Sequence, residues 1–102
     1  MSILHTINKS PFENTTFESC LAHALEGDAI LLIEDGVYAA LKGTAASARI
    51  KARSNNVSFF VLGPDLAARG IANGSLAEDI AVVDYGGFVD LVADHKIAQA
   101  WL

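Results

Sequence analysis

Hydrophobic residues gather in four short runs along the chain, Ile3–Ile7, Ile30–Ile33, Val57–Leu62 and Ile80–Val83, and each run breaks off into a polar, turn-forming cluster. The clusters are Asn8-Lys9-Ser10-Pro11, Glu34-Asp35-Gly36, Gly63-Pro64-Asp65 and Asp84-Tyr85-Gly86-Gly87, each followed by a helix-compatible stretch. Strands that alternate with helices predict a parallel sheet. In such a sheet all four clusters lie at the carboxyl edge, where open α/β folds form their ligand crevices.

After the first run, Asn14, Thr15 or Thr16 can cap a helix over Phe17–Leu25, in which Phe17, Leu21, Ala24 and Leu25 repeat at i, i+4, i+7 and i+8 before Gly27 stops it. Ala29–Ile33 shows no polar alternation, as expected of a central strand covered on both faces. Val37–Leu41 predicts a short helix ended near Gly43. Ala45–Ala52 reads as a loosely packed helix: its alanines favour helix, although Arg49, Lys51 and Arg53 alternate with apolar residues. Asp65–Arg69 forms a further short helix closed by Gly70, and Asn73-Gly74-Ser75 a turn. Phe88–His95 is a helix with Phe88, Leu91 and Val92 on one stripe, and Ile97–Leu102 an edge strand. The expected architecture is one domain, residues 1–102, with three α/β/α layers around a mostly parallel sheet of about five strands. A tryptophan next to the C-terminus, Trp101, would fray unless it packs back onto the domain or enters a subunit interface.

Composition narrows the class. With 52% hydrophobic and 19% charged residues the chain is too apolar for disorder, and apolar enough to expect surface covered by partners. A net charge of −5 with seven Lys and Arg opposes direct nucleic-acid binding, which needs clustered cations against phosphates. The cluster at Arg49, Lys51 and Arg53 reads as a solvated helix face. One cysteine cannot form an intramolecular disulfide, and Met1 leads into a strand without a basic region or cleavage site. No apolar stretch approaches the roughly 20 residues of a membrane helix. These features predict a soluble protein of the reducing cytoplasm.

Cys20 is the first candidate for chemistry. At about 100° per residue it sits roughly 60° from Phe17 and 40° from Ala24, on the shoulder of the apolar stripe, with His23 one turn onward. That position suits a small buried hydrophobe, and it also suits a partly exposed thiol whose thiolate a protonated His23 stabilises. His5, inside the first strand, reads as a hydrogen-bonded core or interface histidine. His23 and His95 fall on helix exteriors, and three such separated histidines with one cysteine predict no metal site. Glu34-Asp35 fits capping of the following helix better than paired acid–base catalysis. There is no phosphate-binding glycine pattern and no Gly-x-Ser-x-Gly.

Leu4-His5-Thr6 with Ser10-Pro11-Phe12, Glu26-Gly27-Asp28, Leu31 through Ala40, Asp65 through Gly70, and Asp84-Tyr85-Gly86-Gly87-Phe88-Val89 form an ordered set spanning nearly the whole chain. This set resembles the DsrH/TusB family of sulfur-relay proteins. The resemblance implies a DsrE-like fold and a dimer of heterotrimers with DsrE/TusD-like and DsrF/TusC-like subunits. It implies sulfur exchange with carriers of the DsrC/TusE and TusA type, without cofactor. The principal sulfur-accepting cysteine in these assemblies belongs to the DsrE/TusD-type subunit. A first-helix cysteine resembles the DsrH branch, so the resemblance implies a Dsr-type role in sulfur oxidation with Cys20 as persulfide carrier and His23 as its stabiliser. The alternatives are a TusB-type subunit of the tRNA 2-thiouridine relay, and a structural subunit with Cys20 buried.

Overall fold

The computed structural model describes residues 2–102. Among these, β1 (Ile3–Ile7), β2 (Ala29–Leu32), β3 (Ser58–Leu62), β4 (Ile80–Val83) and β5 (Ile97–Trp101) form one sheet in the order β4-β3-β2-β1-β5. Every neighbouring pair is parallel. The intervening helices are α1 (Thr16–His23), α2 (Ala45–Arg53), α3 (Gly63–Ala68) and α4 (Tyr85–Asp94), with 3-10 turns at Glu34–Ala40 and Asn73–Ser75. The three-layer α/β/α architecture expected from the hydrophobic pattern is the one observed.

Strand order explains the layers. From β1 to β4 the chain steps steadily toward one edge, and then α4 carries it back across the sheet to place β5 beside β1. Parallel crossovers are right-handed, so a step in the reverse direction puts its helix on the opposite face. Accordingly Ile7, Ile30, Leu32, Phe59 and Val61 point into a large core with residues of α1, α2, α3 and the Glu34–Ala40 turn. The alternate residues Leu4, Ala29, Leu31 and Phe60 face the other way and pack with Phe88 and Leu91 of α4 together with Ile33 and Val83.

Local chemistry sets the element ends. Asn14 Oδ1 accepts the Thr16 N–H at 2.9 Å at the start of α1, which stops at His23, so that Leu25 lies 68% exposed rather than on the apolar stripe. Arg53 explains the early stop: its guanidinium donates to the carbonyls of Leu21 and Ala24 and satisfies the end of α1. It is thus a partly buried clamp rather than a member of a solvated face, whereas Arg49 makes the exposed pair with Glu18. Thr44 and Ser47 form a reciprocal capping box at α2, and Asp84 caps α4 by accepting the Gly87 N–H at 2.8 Å. With that cap α4 begins three residues earlier than Phe88.

The expected helix at Val37–Leu41 is a 3-10 turn beginning at Glu34. Glu34 holds φ at +49°, and its N–H is capped by the Asp65 carboxylate at 2.6 Å, so the cap comes from α3 rather than from Glu34-Asp35. Asp35 instead pairs with Arg69 at 2.9 Å. Gly36 presses onto the end of β1, where a Cβ would collide with the Ile7 carbonyl oxygen. Backbone cannot yield there as a flexible side chain would. Gly36→Ala should therefore cost roughly 1–3 kcal/mol, as overpacked sites do. Gly74→Ala, in open space, should stay within about 0.5 kcal/mol of the native chain. Urea denaturation of the two variants distinguishes these outcomes.

Candidate functional site

Cys20 lies inside the main core with Phe17, Leu21 and Ala24, and none of its surface is exposed. Trp101 folds back from β5 onto the same core. Burial pushes the Cys20 thiol up to about 12; the Asp28 carboxylate adds to the rise and the Arg53 guanidinium partly opposes it. His23 is exposed, its Nδ1 lies 2.9 Å from the Ser19 carbonyl, and its ring sits 5.4 Å from that of Trp101. The fold thus brings His23 to Trp101, while its ring nitrogen pairs with the α1 backbone rather than with the Cys20 thiol.

Beside Cys20 is a buried polar cluster. His5 and Asp28, each only 2% exposed, meet through Nε2 and Oδ2 at 2.9 Å, and the Trp101 indole N–H reaches His5 Nδ1 at 3.0 Å. Asp28 also accepts the Ile3 N–H through Oδ1 and the Leu25 N–H through Oδ2, both at 3.0 Å. Burial alone would raise the Asp28 carboxyl, but the hydrogen bonds from Leu25, His5 and Ile3 outweigh it and hold the group below the ordinary carboxylate range. Sequence reasoning placed His5 correctly as a hydrogen-bonded core residue and gave Asp28 no role. The available signal was an acid directly preceding an all-apolar strand, a place where a carboxylate needs internal partners.

The carboxyl edge of the sheet gathers Glu34, Asp35, Asp65 and Asp84 against Lys9 and Arg69, the latter engaged by Asp35. This rim is acidic, which disfavours phosphate-bearing ligands. Among the described residues no group of three His, Cys, Asp or Glu can hold a metal ion. A hollow of about 520 Å³ is an open groove lined by Lys42, Lys51, Glu78 and Asp79 among others. It lies between α2 and the segment before β4, away from Cys20, and its charges balance. Also among the described residues, no helix is long and apolar enough to cross a membrane.

One face remains apolar. No residue of α4 is buried, and Tyr85, Val89 and Val92 are 61%, 67% and 44% exposed. Phe88, Val89, Val92 and Ala93 line a hollow of about 390 Å³. Exposed aliphatic side chains clustered on one helix mark an interaction surface rather than scatter.

A family profile described as "DsrH like protein" matches residues 9–97. Protein TusB of Pectobacterium parmentieri is 37% identical over 99 residues, covering 97% of this chain and all of that protein, and Protein TusB of Escherichia coli matches with the same identity and coverage. Among solved structures, the ychN protein of Escherichia coli superimposes with a TM-score of 0.82 at 14% identity, over 98% of both chains. A Methanobacterium thermoautotrophicum protein of unknown function does so at 0.80 and 13% identity, over 97% of both chains. These two structures establish the fold.

Two outcomes follow from the buried cluster. In the isolated native chain Cys20 should react with a maleimide at neutral pH far more slowly than in urea, because the thiol is both enclosed and almost wholly protonated. Asp28, with its folded pKa depressed, contributes stability that is complete above the unfolded value of about 3.9 and is lost as pH falls through the folded value. Asp28→Asn should therefore be less stable at pH 7, with the gap to the native chain closing as pH falls below about 4. Denaturation curves across pH check the sign.

Proposed function

Because the chain belongs to the DsrH/TusB family of sulfur-relay proteins, we propose that it is the TusB-type subunit of a tRNA-thiolation relay and supplies assembly surface rather than a sulfur-carrying thiol. The observation that carries this reading is Cys20, enclosed in the core with its thiol pushed up to about 12. Persulfide exchange requires a thiolate that attacks the outer sulfur of a donor persulfide, breaking the S–S bond and releasing the donor thiolate. A thiol that ionises near 12 and faces no solvent is a poor attacker. The Dsr-type reading rested on a first-helix thiol, and the 37% identity to two TusB proteins over nearly the whole chain favours the Tus branch instead.

The partners are DsrE/TusD-like and DsrF/TusC-like subunits in a dimer of heterotrimers, with sulfur arriving from a TusA-type carrier and leaving to a TusE-type one. The exposed Tyr85, Val89 and Val92 of α4 support such an assembly, since a helix with no buried residue gains most from a second covering layer. His23 has no thiolate to stabilise in this reading; it supports Trp101.

Co-expression with the two partner subunits should yield one large complex by light scattering, and Val89→Asp with Val92→Asp should release a folded, free subunit. After the complex meets a persulfurated TusA-type carrier, intact-mass analysis should find added sulfur on the TusD-like subunit and none on this one. Cys20→Ser should leave transfer unchanged. Dithiothreitol-removable sulfur on this subunit that Cys20→Ser abolishes would overturn the structural reading.

A further inference from the structure

The donor inventory fixes the protons of the buried cluster. An indole nitrogen has a hydrogen to give and no lone pair to accept with, so the 3.0 Å contact from Trp101 Nε1 makes His5 Nδ1 an acceptor. The single hydrogen of the imidazole then sits on Nε2 and is donated to Asp28 Oδ2. Asp28, which already accepts two backbone N–H groups, is the carboxylate. A second proton on His5 has one place to go, Nδ1, where it would face the indole N–H donor to donor. The Trp101 bond and the imidazolium are mutually exclusive. The Asp28 bond survives the same event and gains charge assistance.

Beyond the backbone ladder to β1, that bond and the packing of the indole are what fasten β5. β5 is an edge strand paired only with β1, and its Ile97, Ala98, Gln99 and Ala100 are all exposed. Trp101 alone among its side chains packs on the core. The charged group on His5 is Asp28 before β2; Cys20 of α1 feels both Asp28 and Arg53 of α2, which is occupied with the α1 carbonyls, and His23 of α1 lies against Trp101. β5 itself brings none, with Lys96 just ahead of it.

We propose that the Trp101–His5 hydrogen bond is a proton-sensitive latch: β5 is fastened to β1 while His5 carries one proton and loosens when it takes a second. Loosening turns β1 into the sheet edge, with backbone groups free to pair with another strand. The latch is independent of whether Cys20 carries sulfur.

Nitrogen-15 NMR and hydrogen exchange on the full chain test it. At pH 7.5 His5 should show the Nε2–H tautomer and a slowly exchanging Trp101 indole proton. As pH falls, protection of that proton and of the β5 amides, corrected for intrinsic exchange, should drop together by about tenfold or more while β2 and β3 hold. His5→Asn offers an amide oxygen near the Nδ1 position and takes no proton, so its β5 protection should stay flat with pH. Trp101→Phe keeps a ring without the N–H and should show low β5 protection at every pH. An Nδ1–H tautomer at pH 7.5 overturns the proposal. So does β5 protection that ignores His5 titration, a His5 that keeps one proton until the domain unfolds, or a Trp101→Phe chain that responds to pH like the native one.

Discussion

A buried carboxylate stays charged where hydrogen bonds offset its lost hydration, and Asp28, which accepts three, is where this fold meets that demand. Desolvating the carboxylate costs several kcal/mol, while each hydrogen bond to a charged group returns about 1.5–3 kcal/mol, so the three together offset a cost that one alone does not. The set comes from separate places: the Ile3 N–H at the start of β1, His5 within it, and the Leu25 N–H just after α1. Meeting those demands together fixes where α1 ends and how β1 lies beside β2. Through His5 the same carboxylate orients the imidazole that receives Trp101 from the far end of the chain.

The handedness of crossovers imposes the second constraint. Because three crossovers step one way and one steps back, three helices cover one face of the sheet and α4 is left to cover the other alone. The first face holds nearly all of the core. The second has an inner row, Leu4, Ala29, Leu31 and Phe60, that α4 meets with Phe88 and Leu91, so its remaining apolar side chains look outward. Unequal layering of this kind makes the domain a natural subunit, and it does so without any residue specialised for binding.

The same packing encloses the one thiol of the chain. A sulfur-carrying thiol needs access and a low ionisation point, and the fold gives Cys20 neither. The carboxyl edge that serves as a ligand crevice in open α/β proteins carries four acids here, one of which, Asp65, is spent holding the strained Glu34 backbone. The proposed role rests on shape and apolar surface rather than on a thiol.

Periodicity and turn chemistry determined the elements and their order, because strand, cap and turn preferences are local. Ile3–Ile7 and Ile80–Val83 appear with the boundaries their pattern predicts, and β5 ends one residue early at Trp101. The family was legible too, since its residues lie in order along the chain from Leu4 to Val89. What tertiary structure decided is how side chains far apart in sequence meet. Arg53 shortened α1 from 29 residues away, Asp65 capped the turn at Glu34 from 31 away, and Trp101 reached His5 across 96. The exposure of Cys20 belongs to the same class. Helical spacing placed it on the border of an apolar stripe, but whether a border residue is open depends on what packs against it from elsewhere in the chain, a matter of tertiary structure to which local pattern is blind.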